Sequence, residues 1–313
     1  MTSALPPLFV DRLKQIIPSE HIAGVLKSFE SKKPAALRIN TLKTTRSAIE
    51  NQLKENGIVY SHVPWADYAF CIDVSYLSNP FIQQALQEGR LYQQNLSSQL
   101  VTAILDPQPG ERILDVCAAP GSKTSQLAML MHNEGQIVAI EKVRSRFYRL
   151  RRVLELLGVQ NAQVVLTDAR RYQVQGELFD KILVDVPCSS EGRFTLADPD
   201  SFGYWSSRKI KEMQMKQKGL IKKAVDLLKA GGTLVYSTCT FAPEENEGVL
   251  NWLLKKYESR LSVERIDMKD IKIYPSILNW NKKEYNQQLR FCVRILPDNV
   301  MDGFFIAKIR KLA

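Results

Sequence analysis

The sequence predicts an α/β fold, a largely parallel, doubly wound sheet preceded by a small α+β domain. Five short apolar, β-branched runs (112–116, 136–140, 163–166, 181–185 and 233–237) are separated by stretches of helical spacing. That alternation is what parallel strands and crossover helices leave in a sequence. Residues before about 88 instead mix short helices with short strands. The 313 residues, 45% of them hydrophobic, suffice for one large core and a smaller one. The expected domains are 1–88 and 89–313.

The elements follow in order. The first 30 residues read as two short helices. Ser19 is the expected cap of the second, with Ile22, Val25, Leu26 and Phe29 at helical spacing. Residues 36–40 alternate like a strand. Thr44 or Thr45 opens a helix through Asn56, which Gly57 can end, and 58–63 reads as a strand. Residues 89–94 lead into a helix at 95–105, which Asp106-Pro107-Gln108-Pro109-Gly110 breaks. The strand-helix series follows, with a helix at 125–131 after its first strand. Ligands of such sheets bind outside the carboxyl ends of the strands.

Composition narrows the function. A net charge of +10 suits a partner rich in phosphate. The chain has no run of about 20 apolar residues, and its first ten residues lack a signal-peptide layout. A cytoplasmic protein without a membrane partner is expected. The cysteines, at 71, 117, 188, 239 and 292, form no Cys-x-x-Cys pair. Neither a metal site nor a disulfide framework is expected. Three histidines, His21, His62 and His132, leave few candidates for a histidine-activated nucleophile.

The first strand of the series runs into Cys117-Ala118-Ala119-Pro120-Gly121-Ser122-Lys123-Thr124. Small residues let backbone approach a ligand, and a helix N-terminus favours negative charge. A phosphate-binding Gly-x-x-x-x-Gly-Lys loop is excluded, because Cys117 and Ser122 occupy its glycine positions. The dinucleotide pattern Gly-x-Gly-x-x-Gly is also absent. The next strands end at Glu141, Asp168 and Asp185. An acid at such a position can hold ribose hydroxyls. Four ligand-suited strand ends in one sheet point to a nucleoside cofactor without a pyrophosphate.

The fourth strand runs into Asp185-Val186-Pro187-Cys188-Ser189-Ser190 and the fifth into Ser237-Thr238-Cys239-Thr240. Cys71, Cys117 and Cys292 read as small buried hydrophobes. Cys188 and Cys239 follow core strands at the ligand-binding edge and read as functional. Two thiols and a carboxylate suit chemistry at carbon 5 of a pyrimidine. A thiolate adding to carbon 6 makes carbon 5 nucleophilic. An acid beside N3 neutralises the developing charge, and burial would keep Asp185 protonated for that role.

The three loops around Cys117–Lys123, Asp185–Cys188 and Ser237–Thr240 resemble those of the RNA 5-methylcytosine methyltransferases of the Nol1/Nop2/Sun (RsmB/NOP) family. So do Tyr92-Gln93-Gln94-Asn95 to Ser98, Pro243-Glu244-Glu245-Asn246-Glu247, Arg294, Pro297 and Gly303 to Lys308. The resemblance runs from about residue 89 to the C-terminus. Residues 1–88 are more loosely similar to the family's RNA-recognition-like N-terminal domain. The resemblance implies a Rossmann-like S-adenosylmethionine-dependent methyltransferase domain. It implies Cys239 as nucleophile, Cys188 assisting release, and Asp185 and Lys123 at the catalytic centre. It assigns Cys117, Ala118, Ala119, Pro120, Gly121, Ser122, Lys123, Glu141, Arg146, Asp168 and Asp185 to the cofactor. The expected partner is RNA, of the small ribosomal subunit first and transfer RNA second, and the expected state a monomer. The chain departs from the family at Ser122, at Ser190 and Glu191, and at Asp298. It stops soon after Lys308, where some bacterial relatives continue into a further RNA-binding domain.

Two basic stretches, 142–152 and 208–223, would hold RNA phosphates or form solvated helix faces. Ile210, Met213, Leu220 and Ile221 can form a core stripe in the second. An enzyme modifying a base must extract it from any stack, so single-stranded or loop RNA is the natural target. A zinc deaminase is the first rival, on His132-Asn133-Glu134 and Pro187-Cys188, but Glu191 stands where its second metal cysteine would fall. DNA cytosine methyltransferases use the cysteine after proline as nucleophile and lack the Thr-Cys of the fifth strand. A non-catalytic RNA-binding protein would need neither Cys239 and Asp185 nor the cofactor loop.

Overall fold

The computed structural model describes residues 5–312. They form two compact units. A contiguous unit holds residues 33–183 with 267–271. A segmented unit holds residues up to 32, 184–266 and from 272 onward.

The segmented unit begins with α1 (Pro7–Ile16) and α2 (Ser19–Ser28). Pro18, not Ser19, occupies the cap of α2, and no side chain caps that helix. Proline suits the entry to a helix because its fixed φ costs nothing there and its missing N–H is not needed. Phe9 of α1 packs against Phe29, Phe194 and Trp205 at ring-centroid distances of 5.9, 4.9 and 5.7 Å.

The contiguous unit opens with β1 (Ala35–Ile39), α3 (Arg46–Glu55), β2 (Tyr60–His62), β3 (Ala69–Ile72), α4 (Pro80–Gln87) and β4 (Leu91–Gln93). Its sheet runs β2-β3-β1-β4, antiparallel throughout. Thr45 caps α3, accepting from the Ala48 N–H at 3.2 Å. The lead-in at 89–94 is in fact a strand, β4, which joins this sheet. Leu37, Ile39, Ile49, Leu53, Phe70, Ile72 and Ile82 form its core.

α5 (Leu96–Leu105) follows, capped by Asn95. Then come β5 (Arg112–Asp115), α6 (Ser122–Leu130), β6 (Gln136–Glu141), α7 (Arg144–Leu156), β7 (Ala162–Leu166) and β8 (Phe179–Asp185). The order β8-β5-β6-β7 is parallel at every pairing. α6 starts three residues earlier than expected, so Ser122 and Lys123 lie in its first turn. Gly121, at φ +112°, makes the early start possible. β7 ends at Leu166, and Asp168 caps the short 3-10 turn beyond it.

The chain passes into the segmented unit within β8, at Val184 and Asp185. α8 (Ser207–Leu227) is capped by Ser206 and buries Ile210, Met213, Leu220 and Ile221, the expected stripe. β9 (Leu228–Thr238) starts five residues before the expected strand and is followed by α9 (Glu247–Tyr257) and β10 (Leu261–Glu264). The short strands β11 (Tyr274–Pro275), β12 (Asn279–Trp280), β13 (Lys283–Glu284) and β14 (Val293–Ile295) precede β15 (Phe304–Lys311). β15 lies antiparallel between β9 and β14, and β10 and β11 also pair antiparallel, with β15 and β14.

Candidate active site

In the contiguous unit, the loop after β5 is built inward and outward at once. Ala118 and Ala119 are buried against Ala139, Leu150 and Leu154, so only their backbone is available to a ligand. The Ala119–Pro120 peptide is cis. A Cβ on Gly121 would meet Leu150 Cδ1 at 3.0 Å, so glycine serves both the left-handed φ and the close approach to α7. Cys117 is partly exposed, unlike buried Cys71 and Cys292, which corrects its reading as a core hydrophobe.

Charged groups fix this edge. Arg146 donates to the Ala119 carbonyl at 2.6 Å and stands 3.5 Å from Glu141. Buried Glu141 accepts from the Val143 N–H at 2.7 Å. Asp168 binds the Arg170 guanidinium through both oxygens, and that partner holds its carboxyl down at about 2. Lys123 donates to Ser98 Oγ at 2.8 Å.

Asp115, at the end of β5, was not foreseen as a site residue. It is buried, accepts from Thr124 Oγ1 at 2.8 Å, and receives the Cys117 N–H at 3.4 Å. It thereby ties both ends of the loop to the strand. An acid ending a strand, nine residues before a threonine in the next helix, was the available signal.

In the segmented unit the ends of β8 and β9 lie side by side. The Val186 N–H donates to the Ser237 carbonyl at 3.2 Å, and Ser237 Oγ to Asp185 at 2.7 Å. Asp185 is partly exposed, so the burial expected to keep it protonated is not found. The two turns that follow bring Cys188 Sγ to 3.3 Å from Cys239 Sγ. Sharing one hydrogen between the sulfurs drives their acidities apart. The bond to Cys239, with burial, pushes the Cys188 thiol well up. The bond from Cys188, helped by the Arg193 cation, brings Cys239 down.

The surrounding acids act on the turns. Glu191, where a deaminase would need a metal cysteine, is buried and accepts from Trp205 Nε1 at 2.8 Å, Thr240 Oγ1 at 2.8 Å and the Phe241 N–H at 3.0 Å. It holds the chain just beyond Cys239. The Gly192 N–H donates to the Cys239 carbonyl at 2.9 Å. A Cβ on Gly192 would meet the Gly303 carbonyl at 2.2 Å, so this approach requires glycine. Ser190 sits at φ +60°, a conformation that costs a residue with a Cβ about 1–2 kcal/mol. Among the described residues no group of three His, Cys, Asp or Glu could hold a metal ion, and no helix is long and apolar enough to cross a membrane.

The chain is similar to known proteins over most of its length. A family model described as 16S rRNA methyltransferase RsmB/F matches residues 102–310, and one described as the RsmF/B-like ferredoxin-like domain matches residues 5–76. The chain belongs to the RsmB/F family, the Nol1/Nop2/Sun group of RNA 5-methylcytosine methyltransferases. A tRNA (cytosine(49)-C(5))-methyltransferase of Pyrococcus abyssi is 36% identical, over 96% of this chain and 95% of its own. The ribosomal RNA small subunit methyltransferase F of Vibrio vulnificus is 34% identical, over 99% of this chain. The chain spans 64% of that relative's length. A methyltransferase homologue from Pyrococcus horikoshii superposes with a TM-score of 0.81 at 33% identity, covering 98% of this chain and 100% of its own.

Within the RsmB/F family frame, the basic stretches divide. Lys142, Arg144, Arg146, Arg149, Arg151 and Arg152 are all exposed on or beside α7. In α8 some charges are spent locally, with Lys209 and Lys216 on Glu212 and Lys222 on Asp226.

Proposed function

We propose that the protein transfers a methyl group from S-adenosylmethionine to carbon 5 of a cytosine in RNA, with Cys239 as nucleophile and Cys188 assisting release. The observation that carries this reading is the 3.3 Å contact between the two sulfurs, with Cys239 as the more acidic partner. Family membership supports it, as does a relative whose name specifies cytosine methylation.

The loop after β5 fits the cofactor by the chemistry of its groups. Residues 117–122 offer backbone with little side-chain bulk. Glu141 and Asp168 offer carboxylates suited to ribose hydroxyls and adenosine, and Arg146 braces the loop through Ala119. When bound, S-adenosylmethionine supplies an electrophilic methyl on a sulfonium. The Cys239 thiolate adds to cytosine carbon 6, forming the C–S bond and moving the ring electrons to carbon 5. Lys123 would meet the charge that develops on the ring, and Asp185 would contact the ring edge. Carbon 5 takes the methyl, and its proton then passes to a base. The C5–C6 double bond re-forms as the C–S electrons return to Cys239, and Cys188 assists this release. Residues 1–88 are proposed as the RNA-binding domain and 89–313 as the catalytic domain, working as a monomer in the cytoplasm.

Small-subunit ribosomal RNA is the proposed substrate. The Pyrococcus abyssi relative supports transfer RNA as a second reading. Mass spectrometry of RNA digested after incubation with protein and S-adenosylmethionine tests the reaction. 5-Methylcytidine is expected, and methyl on N4 or on ribose would overturn the carbon-5 mechanism. Bisulfite mapping of cellular RNA with and without the gene separates the two substrates.

A further inference from the structure

Glu245 is buried in the segmented unit and takes no part in the chemistry above. Its carboxyl accepts from the Ser189 N–H at 3.1 Å and from Gln217 Nε2 at 2.7 Å. The same Gln217 nitrogen donates to the Pro187 carbonyl at 3.0 Å. One carboxyl and one amide thus hold the residues on both sides of Cys188. The next link ties the two cysteine turns together: Ser189 Oγ and Thr240 Oγ1 are 2.7 Å apart. Glu245 is in turn anchored through its own carbonyl, which accepts from Tyr236 Oη at 2.6 Å on β9. Its neighbour Glu244 serves elsewhere, pairing with Arg12 and Trp280.

A buried carboxyl is costly unless its position matters or its donors repay it. Here both donors belong to the support of one turn. We propose that Glu245 is a positioning residue for Cys188, holding the Pro187–Ser189 turn so that the Cys188 thiol meets the sulfur of Cys239. The proposal rests on the two-thiol reading above. It assigns Glu245 to the release step and leaves the attack of Cys239 to other groups, since Glu191 and Gly192 hold the Cys239 turn. Burial drives the Glu245 carboxyl up to about 8, which lessens the charge placed beside Cys188 at neutral pH.

The test compares Glu245→Ala, Glu245→Gln and Cys188→Ala in single-turnover and multiple-turnover methylation, with denaturing electrophoresis for covalent protein–RNA species. Glu245→Ala should still attack and methylate, then accumulate a methyl-dependent adduct as Cys188→Ala does. Its release should slow by up to about a hundredfold, the scale of a small misplacement at a reacting group. Glu245→Gln keeps an acceptor for Ser189 and should restore release. A folded Glu245→Ala protein that loses attack and release together, or turns over like wild type, overturns the proposal. Should Glu245→Ala fail to fold, Gln217→Ala removes the Pro187 contact and must show the same accumulation for the proposal to stand. A Cys188→Ala protein that forms no adduct overturns the two-thiol reading itself. Adduct in Cys188→Ala without adduct in a folded Glu245→Ala overturns only the role of Glu245.

Discussion

The sulfurs of Cys188 and Cys239 lie 3.3 Å apart, close enough to share one proton. The donor becomes a poorer acid and the acceptor a better one, and Arg193 adds its cation to the Cys239 side. Alkylation by iodoacetamide, followed residue by residue by mass spectrometry, reads this directly. Cys239 should react with a midpoint below that of an ordinary thiol. Cys188→Ala and Arg193→Gln should each move that midpoint upward. A Cys239 midpoint at or above the ordinary value in the unaltered protein would contradict the assignment.

The order of steps makes the two cysteine variants differ in kind. Cys239→Ala lacks the nucleophile and should give neither adduct nor product. Cys188→Ala should attack, methylate and then stall as a protein–RNA species that survives denaturing electrophoresis. The double variant should show none. Adduct in Cys239→Ala and none in Cys188→Ala would make Cys188 the nucleophile, the arrangement of the DNA enzymes.

Glu141 and Asp168 are proposed to hold the adenosine part of the cofactor. Arg170 keeps Asp168 ionised across the working range, so the contact would be charge-assisted. Asp168→Ala and Glu141→Ala should each weaken cofactor binding by about ten- to a hundredfold, matching the loss of one hydrogen bond to a charged group. Isothermal calorimetry measures it. Unchanged affinity in both variants would remove these acids from the site.

Much of this was legible in the sequence because periodicity reports burial. The parallel strands, the α8 stripe and the Thr45 cap all follow from local pattern. β3, α4 and β4 were not read, because short elements such as Leu91–Gln93 carry too few residues to establish a period. The antiparallel run of β15 between β9 and β14 is a long-range pairing, which local pattern does not encode. At the site, residue type and position at a strand end singled out Cys188 and Cys239. The acids that hold their turns were named without a role, Glu191 as a departure from the family and Glu245 within a family-like segment. Their importance lies in burial and in partners from distant sequence, such as Trp205 for Glu191 and Gln217 for Glu245. Asp185 shows the converse, a residue singled out in the sequence whose expected burial is absent.

The exposed arginines of α7 should act on RNA through phosphate charge. Each lost phosphate contact should flatten the slope of log affinity against log salt by about 0.7 to 0.9. Arg149→Gln, Arg151→Gln and Arg152→Gln together should therefore lower the slope by about two. Filter binding across a salt series checks this. An unchanged slope would assign these residues to a solvated helix face.

The raised pKa of Glu245 also bears on stability. Its ordinary value is 4.5 and its folded value about 8. Between those limits the folded protein holds a proton that the unfolded chain has released. Stability must therefore fall as pH rises through that window, and level off above it. Each pKa unit corresponds to about 1.4 kcal/mol, so the ceiling for this one group is a few kcal/mol. The groups facing it sharpen the effect. Glu191, itself raised by burial, adds repulsion, and Cys188 and Tyr236 resist a further negative charge nearby. Glu245→Gln removes the titration and keeps much of the shape. Its stability relative to wild type should rise steadily between pH 5 and pH 8, as the wild-type protein loses what the variant does not. Glu191 remains in the variant, so part of the slope will persist. Urea denaturation at several pH values measures the difference, and a difference that does not change with pH would show that Glu245 is ionised in the folded protein throughout.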